Sequence, residues 1–282
     1  MSENNNIHFV IKSKYSLWSI DLKEIWRYKD LLVLFVRRDF VSVYKQTVLG
    51  PLWFFIQPLL TTITFTFIFG NFAKISTNGI PPLIFYLTGL TFWNYFASCL
   101  TATSNTFVSN AGMFGKVYFP RLIMPLSVII SNLIKFGIQF ILFLVVFFYY
   151  WSTGSIHPNW TVVFLPIFVI MMAGLGLGFG ILISSLTTKY RDFTFLVGFG
   201  VQLLMYASPI IYPFSILSED LRFWLNVLNP MSSIIEAIKY GFLGEGIFSL
   251  SNLAISATYM FVLLFVGIIT FNKVEKSFMD TV

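Results

Sequence analysis

The sequence predicts an all-α polytopic membrane protein, and three observations carry that reading. Its 282 residues are 57% hydrophobic and 19% aromatic, and Asp, Glu, Lys and Arg together make up 11%, against about 25% in soluble domains. No residue from Gln46 to Ala73 is charged, and none from Phe136 to Thr188, whereas about 20 apolar residues suffice to cross a bilayer. Lys and Arg also fall unevenly along the chain, in the tail and in alternate turns. A β-barrel would need short segments of alternating polarity, and a disordered chain would need low hydrophobicity.

Residues 1–48 read as a cytoplasmic tail. Eight of the 18 Lys and Arg lie in its first 45 residues, with no short apolar core and cleavage site of the kind that marks a secretory leader. Within 19–45, Leu22, Ile25, Trp26, Val33, Val36, Phe40 and Val43 recur at three- and four-residue steps, while Lys23, Arg27, Asp30, Arg37 and Arg38 take other faces. This pattern fits an amphipathic helix in the cytoplasmic interface or a small helix packed on another protein.

Residues 49–282 read as one transmembrane domain. Cutting the apolar runs at Pro, Gly, Asn and charge clusters gives six spans, roughly 49–72, 82–105, 126–150, 161–186, 193–213 and 250–271. With both termini cytoplasmic, the inside collects the tail cations plus Lys116, Arg121, Lys189, Arg191, Lys273 and Lys276, and the outside only Lys74, Arg222 and Lys239. That bias sets the orientation. Between spans five and six, 214–248 is too polar to cross. Ser218 before Glu219 and Asp220 predicts one short helix, Asn229-Pro230 starts a second, and Gly241 and Gly244 offer its end. The pair either dips back into the outer leaflet or lies on it as a lid.

The chemistry-bearing residues are few. Cys99 is the one cysteine and His8 and His157 the two histidines, so the sequence offers no Cys-based metal cluster and no His-Glu-x-x-His. No acid lies well inside a predicted span, which counts against ion-coupled carriers. Gly115-Lys116 runs on into Val117 and is no phosphate loop, so ATP hydrolysis would have to come from another subunit. Gly174, Gly176, Gly178 and Gly180 predict close helix packing. Lys135, about nine residues into its span and so ~14 Å deep, either snorkels to the cytoplasmic surface or lines a hydrated path.

Two blocks carry a resemblance. Trp26-Arg-Tyr-Lys-Asp-Leu-Leu, Arg37-Arg38-Asp39, Tyr44 to Trp53 (YKQTVLGPLW) and Gln57-Pro58 form the first, and Asn110 to Ser127 (NAGMFGKVYFPRLIMPLS) forms the second. Together they resemble the membrane subunit of ABC transporters that export polysaccharides. That resemblance implies a homodimeric permease in the cytoplasmic membrane of a bacterium, with two separate nucleotide-binding subunits that bind ATP and Mg. Its cargo would be a lipid-linked glycan such as O-antigen, capsule or teichoic acid. No cofactor is expected in this chain and no nucleic-acid partner. An ABC permease for a drug or small lipid, and an integral glycan-modifying enzyme, are the alternative readings.

Three sets of site residues follow. Asn110, Phe114, Lys116, Tyr118, Phe119, Pro120 and Arg121 are expected to form a coupling segment seated in the ATPase subunit. Arg37, Arg38 and Lys45, at phosphate depth before span one, are expected to meet the lipid phosphate of the cargo. Trp53, Phe54, Phe85, Tyr86, Phe92, Trp93 and Tyr95 are candidates to line a glycan path, rings offering a face to sugar C–H groups, with lipid-facing or packing roles as the alternative. Spans one and five are expected at a two-fold seam, since a polymer cannot pass through six helices packed to protein density.

Overall fold

The computed structural model describes residues 22–278 apart from 46, 115, 116, 118, 188, 189 and 191, and among these no strand forms. The helices are α1 (Leu22–Arg27), α2 (Lys29–Tyr44), α3 (Trp53–Phe65), α4 (Pro82–Ser104), α5 (Thr106–Phe114), α6 (Ile123–Ser152), α7 (Leu165–Thr187), α8 (Phe193–Tyr206), α9 (Glu219–Leu228), α10 (Pro230–Leu243) and α11 (Leu250–Phe278). Short 3₁₀ turns precede α3 and α7, and α3 runs on into a π-helix, Thr66–Phe72. There Ala73 N–H reaches back five residues to the Ile68 carbonyl, and Gly70 lies so close to Pro82 that an added Cβ would sit 3.0 Å from its Cβ.

Among the described residues five helical stretches are long and apolar enough to cross a membrane: Gly50–Phe72, Pro82–Ser104, Ile123–Ser152, Trp160–Thr187 and Leu250–Val274. The run expected to be span five, 193–213, is helical only as far as Tyr206. Fourteen helical residues rise about 21 Å, less than the ~30 Å hydrocarbon core. The reason is local: Pro209 has no N–H to extend the ladder, and the chain turns through Ser208 to Tyr212. This turn is buried, and Ile210 Cα would lie 3.2 Å from a Cβ placed on Gly89 of α4.

Of the five, α4 is the least apolar and the most enclosed, buried over 78% of its central window against 11% for the first stretch. Lipid tails are as greasy as leucine, so apolar side chains gain little by turning inward, and small or polar residues mark the inside instead. Helix α7 shows this on both flanks. Gly176 and Gly180 lie against Cys99 and Thr103 of α4, and Gly174 and Gly178 against Met260, Leu263 and Leu264 of α11. The alternating glycines thus seat one helix between two others, which is the packing role expected of them.

The amphipathic helix expected before the first span is two helices that meet at Tyr28. The expected apolar stripe is divided: Trp26 and Val33 face outward, while Phe35, 3% exposed and not part of that stripe, packs into a cluster with Phe107, Phe114, Phe119, Ile123 and Phe271. On the other side of the chain the two expected short helices form. Ser218 precedes α9 but its side chain makes no capping bond, whereas Asn229 accepts the Met231 N–H at 3.1 Å to start α10. Gly244 ends α10 in the left-handed region at φ 81°.

Candidate functional site

A cleft of about 260 Å³ opens between α3, α4 and α6. Helical spacing builds it: Gln57 and Thr61 on α3, Asn94 and Ser98 on α4, and Asn132, Lys135 and Gln139 on α6 repeat at three and four residues, so each helix turns one polar stripe toward the same space. Pro58, inside α3, lacks the N–H that would bind the Phe54 carbonyl, so the ladder is broken at the rim. Lys135 Nζ donates to Asn132 Oδ1 at 3.3 Å and is half-buried. It points back along α6, as helical side chains do. Phe54, Tyr95 and Phe136 supply the apolar part of the wall. Phe40 of α2 stacks on Phe54 at 6.1 Å, which sets the end of α2 beside the cleft.

A second polar centre lies on α10. Glu236 and Lys239 are 2% and 1% exposed. Glu236 Oε2 accepts the Ile247 N–H at 3.1 Å, and Gly246 lets the loop close on it, since a Cβ there would meet the Glu236 carbonyl at 2.9 Å. Lys239 Nζ donates to the Pro209 carbonyl and lies 3.4 Å from the centroid of the Phe85 ring. Burial pushes the Glu236 carboxyl above its ordinary range, opposed by Lys239, and pushes the Lys239 ammonium down to about 7, opposed by Glu236. Burial disfavours the charge on each group, and the opposite charge of the other offsets part of that cost. Glu236→Leu or Lys239→Leu alone is therefore expected to cost about 3 kcal/mol, because each leaves a buried partner behind. The double variant should cost at least ~1 kcal/mol less than the sum. Thermal melts of the four proteins measure this, and strictly additive losses would show that the two groups are independent.

A family model described as ABC-2 type transporter matches residues 30–243. The chain belongs to this family. Two of its relatives are each named O-antigen export system permease protein RfbA, from Klebsiella pneumoniae. One is 30% identical over 252 residues, 89% of this chain and 94% of the relative, and the other is 30% identical over 271 residues, 96% and 98%. A protein of the same name from Myxococcus xanthus is 26% identical over 263 residues, 93% of this chain and 98% of its own length. The chain is thus a multi-pass membrane subunit of the ABC-2 transport family.

In this ABC-2 permease the expected site residues separate. Of the coupling segment, Lys116 and Tyr118 lie outside the described residues. Phe114 and Phe119 are 2% and 4% exposed and fill the chain's own cluster with Phe35, Phe107 and Phe271. Arg121 is buried with its guanidinium 5.4 Å from the Phe114 ring centroid. Val108, Gly112 and Val117 face outward, Asn110 and Pro120 partly so. Of the phosphate cations, Arg37 and Lys45 are exposed, while Arg38 gives two hydrogen bonds to Asp39 Oδ1, at 2.9 and 2.7 Å, and rests over Phe35.

Of the aromatic set, Phe54 and Tyr95 line the cleft, and Trp53 is 46% exposed. Tyr95 is nonetheless 2% exposed, and Phe85, Tyr86, Phe92 and Trp93 are at most 2% exposed. Phe92 alone contacts the rings of Phe136, Phe140, Phe143 and Phe242. The sequence reading found Lys135 and missed the amides around it, although Asn132, Lys135 and Gln139 at one helical spacing carried the signal. It also missed the burial of Glu236 and Lys239: the expected second short helix follows Asn229-Pro230, but Lys239 counts there only as an outer cation and Glu236 is not singled out.

Proposed function

We propose that this chain is the membrane subunit of an ATP-driven exporter that moves a lipid-linked polysaccharide outward across the bacterial cytoplasmic membrane. The observation that carries the reading is near-full-length similarity to proteins named for O-antigen export. In this reading α8 and the turn after it make a sixth crossing, both termini are cytoplasmic, and α9 and α10 form the outer pair. Two copies assemble with two nucleotide-binding subunits that hold ATP and Mg, and this chain contributes no catalytic group.

Exposed faces support a two-fold seam at the first and fifth crossings. Leu60, Ile63 and Phe67 on the first and Phe195, Leu196 and Phe199 on α8 face outward, and Gly198 and Gly200 meet no atom within 4 Å. Small residues on an open face invite a close helix partner. The docking face for the ATPase is the outward side of α5 with Val117, and the rings of Phe114 and Phe119 brace it from within.

Deleting the gene is the direct test: loss of surface glycan, with the lipid-linked polymer retained in the inner membrane, is expected, and unchanged surface glycan would end the reading. The lipid phosphate is expected to meet Arg37 and Lys45 first, with Arg38 held by Asp39. Arg37→Gln with Lys45→Gln should lower export and cargo-stimulated ATP hydrolysis severalfold while the complex still copurifies. Normal export by the assembled double variant would leave these cations only a role in topology.

A further inference from the structure

The cleft between α3, α4 and α6 gathers six neutral polar side chains and one ammonium at membrane depth, with no carboxylate among its lining residues. Polar groups there are expensive and mark ligand paths. The Lys135 ammonium carries three donors, and the long 3.3 Å bond to Asn132 uses one. With no acid in the wall the cleft is unsuited to a cation; the acid whose charge reaches Lys135, Asp39, lies outside the lining and is bonded to Arg38, so the ammonium calls for an anion. The amides of Gln57, Asn94 and Gln139 offer paired donor and acceptor atoms to hydroxyls, Asn132 has its amide oxygen on Lys135, and the ring of Phe54 offers a flat apolar face. About 260 Å³ is near the lower end of small-molecule sites. A head group fits this space and a polymer does not.

We propose that this cleft, once in each copy, binds the phosphate and first sugar of a polyprenyl-phosphate or polyprenyl-diphosphate glycan, with Lys135 on the phosphate and the amides on the sugar. The inference rests on the export reading and adds a specific docking station to it. Its position supports the assignment: the Phe40–Phe54 stack joins the cleft to the end of α2, where Arg37 and Lys45 are exposed, so a lipid phosphate collected at the interface has a deeper cation to move to. Twelve residues beyond the start of α6 at Ile123, Lys135 lies about 18 Å along that helix.

The full permease–ATPase complex in lipid nanodiscs would be offered three probes: a polyprenyl diphosphate bearing one N-acetylhexosamine, phosphatidylglycerol, and inorganic diphosphate. Wild type is expected to hold the first against an excess of the other two. Lys135→Gln should weaken that binding by about tenfold or more, the scale of one charge-assisted hydrogen bond, and Lys135→Arg should restore most of it. Ser98→Trp, which fills the exposed rim of the cleft, should block binding without touching the ammonium. Equal binding by wild type, Lys135→Gln and Ser98→Trp would overturn the assignment. Displacement by phosphatidylglycerol at equal concentration would overturn it in favour of an ordinary lipid site, and tight binding of inorganic diphosphate alone in favour of a soluble-anion site. If wild type ignores all three probes and cells lacking the chain still display their glycan, the export reading falls, whereas loss of glycan with unaltered Lys135→Gln binding removes only the cleft.

Discussion

Gly180→Leu should prevent the chain from reaching a stable fold. A Cβ at this position would lie 2.5 Å from Thr103 Cβ, 2.7 Å from its Cγ2 and 3.1 Å from the Leu100 carbonyl. A backbone atom is among those contacts, so no side-chain rotation relieves the clash, and α7 has to lift off α4. Overpacking commonly costs about 1–3 kcal/mol; the expectation here is at or above the top of that range. Gly137→Leu is the control, because nothing lies within 4 Å of its added Cβ and leucine is the better helix former by roughly 0.8 kcal/mol. Melting temperature and the yield of monodisperse protein in mild detergent should fall steeply for the first variant and hold for the second. Equal melts would mean that α7 is not seated on α4 in the way described. Gly198→Leu, on the open face of α8, should leave the single chain folded and weaken the association of two copies.

Gly112→Trp should uncouple the permease from its ATPase without unfolding it. Gly112 is exposed on α5 and an added Cβ meets nothing within 4 Å, so the chain accommodates the ring. A partner seated on that face does not. Copurification of the ATPase is expected to fall at least about tenfold, a loss of only ~1.4 kcal/mol, and export should stop. The contrast is Phe114→Ala two residues on, where a ring 2% exposed is removed from the cluster around Phe107 and Phe119 and the loss is one of stability, about 3–5 kcal/mol. Wild-type copurification of the ATPase with Gly112→Trp would place the coupling contact on another face.

The two residues also show how far sequence reasoning reached. Asn110 to Arg121 stood out as a block, but a string of Phe, Tyr, Lys and Arg does not say which side chains point inward. Phe114 and Phe119 are inward because α5 follows α4 after a single-residue turn at Asn105, which rolls that face against Phe35 and Phe271. The aromatic set divided for the same reason. Phe85, Tyr86, Phe92 and Trp93 belong to the helix that α3, α6, α7, α8 and α10 enclose, and Phe54 belongs to one that is mostly open.

What the sequence determined by itself is what depends on composition and period. Long uncharged runs specify membrane helices, the distribution of Lys and Arg suggests a cytoplasmic side, alternate glycines in 174–180 require close packing, and Asn229-Pro230 with Gly244 brackets a short helix. Only the tertiary structure decided which polar residues share a space. Gln57, Ser98 and Lys135 lie on three different helices, and Glu236 and Lys239 are met by the loop that follows α10 and by the turn at Pro209, thirty residues before Lys239. In lipid the apolar side chains are nearly indifferent to facing in or out. Hydropathy therefore finds the helices but cannot orient them, and their mutual rotation is fixed by glycine seams and polar contacts between residues far apart in the sequence.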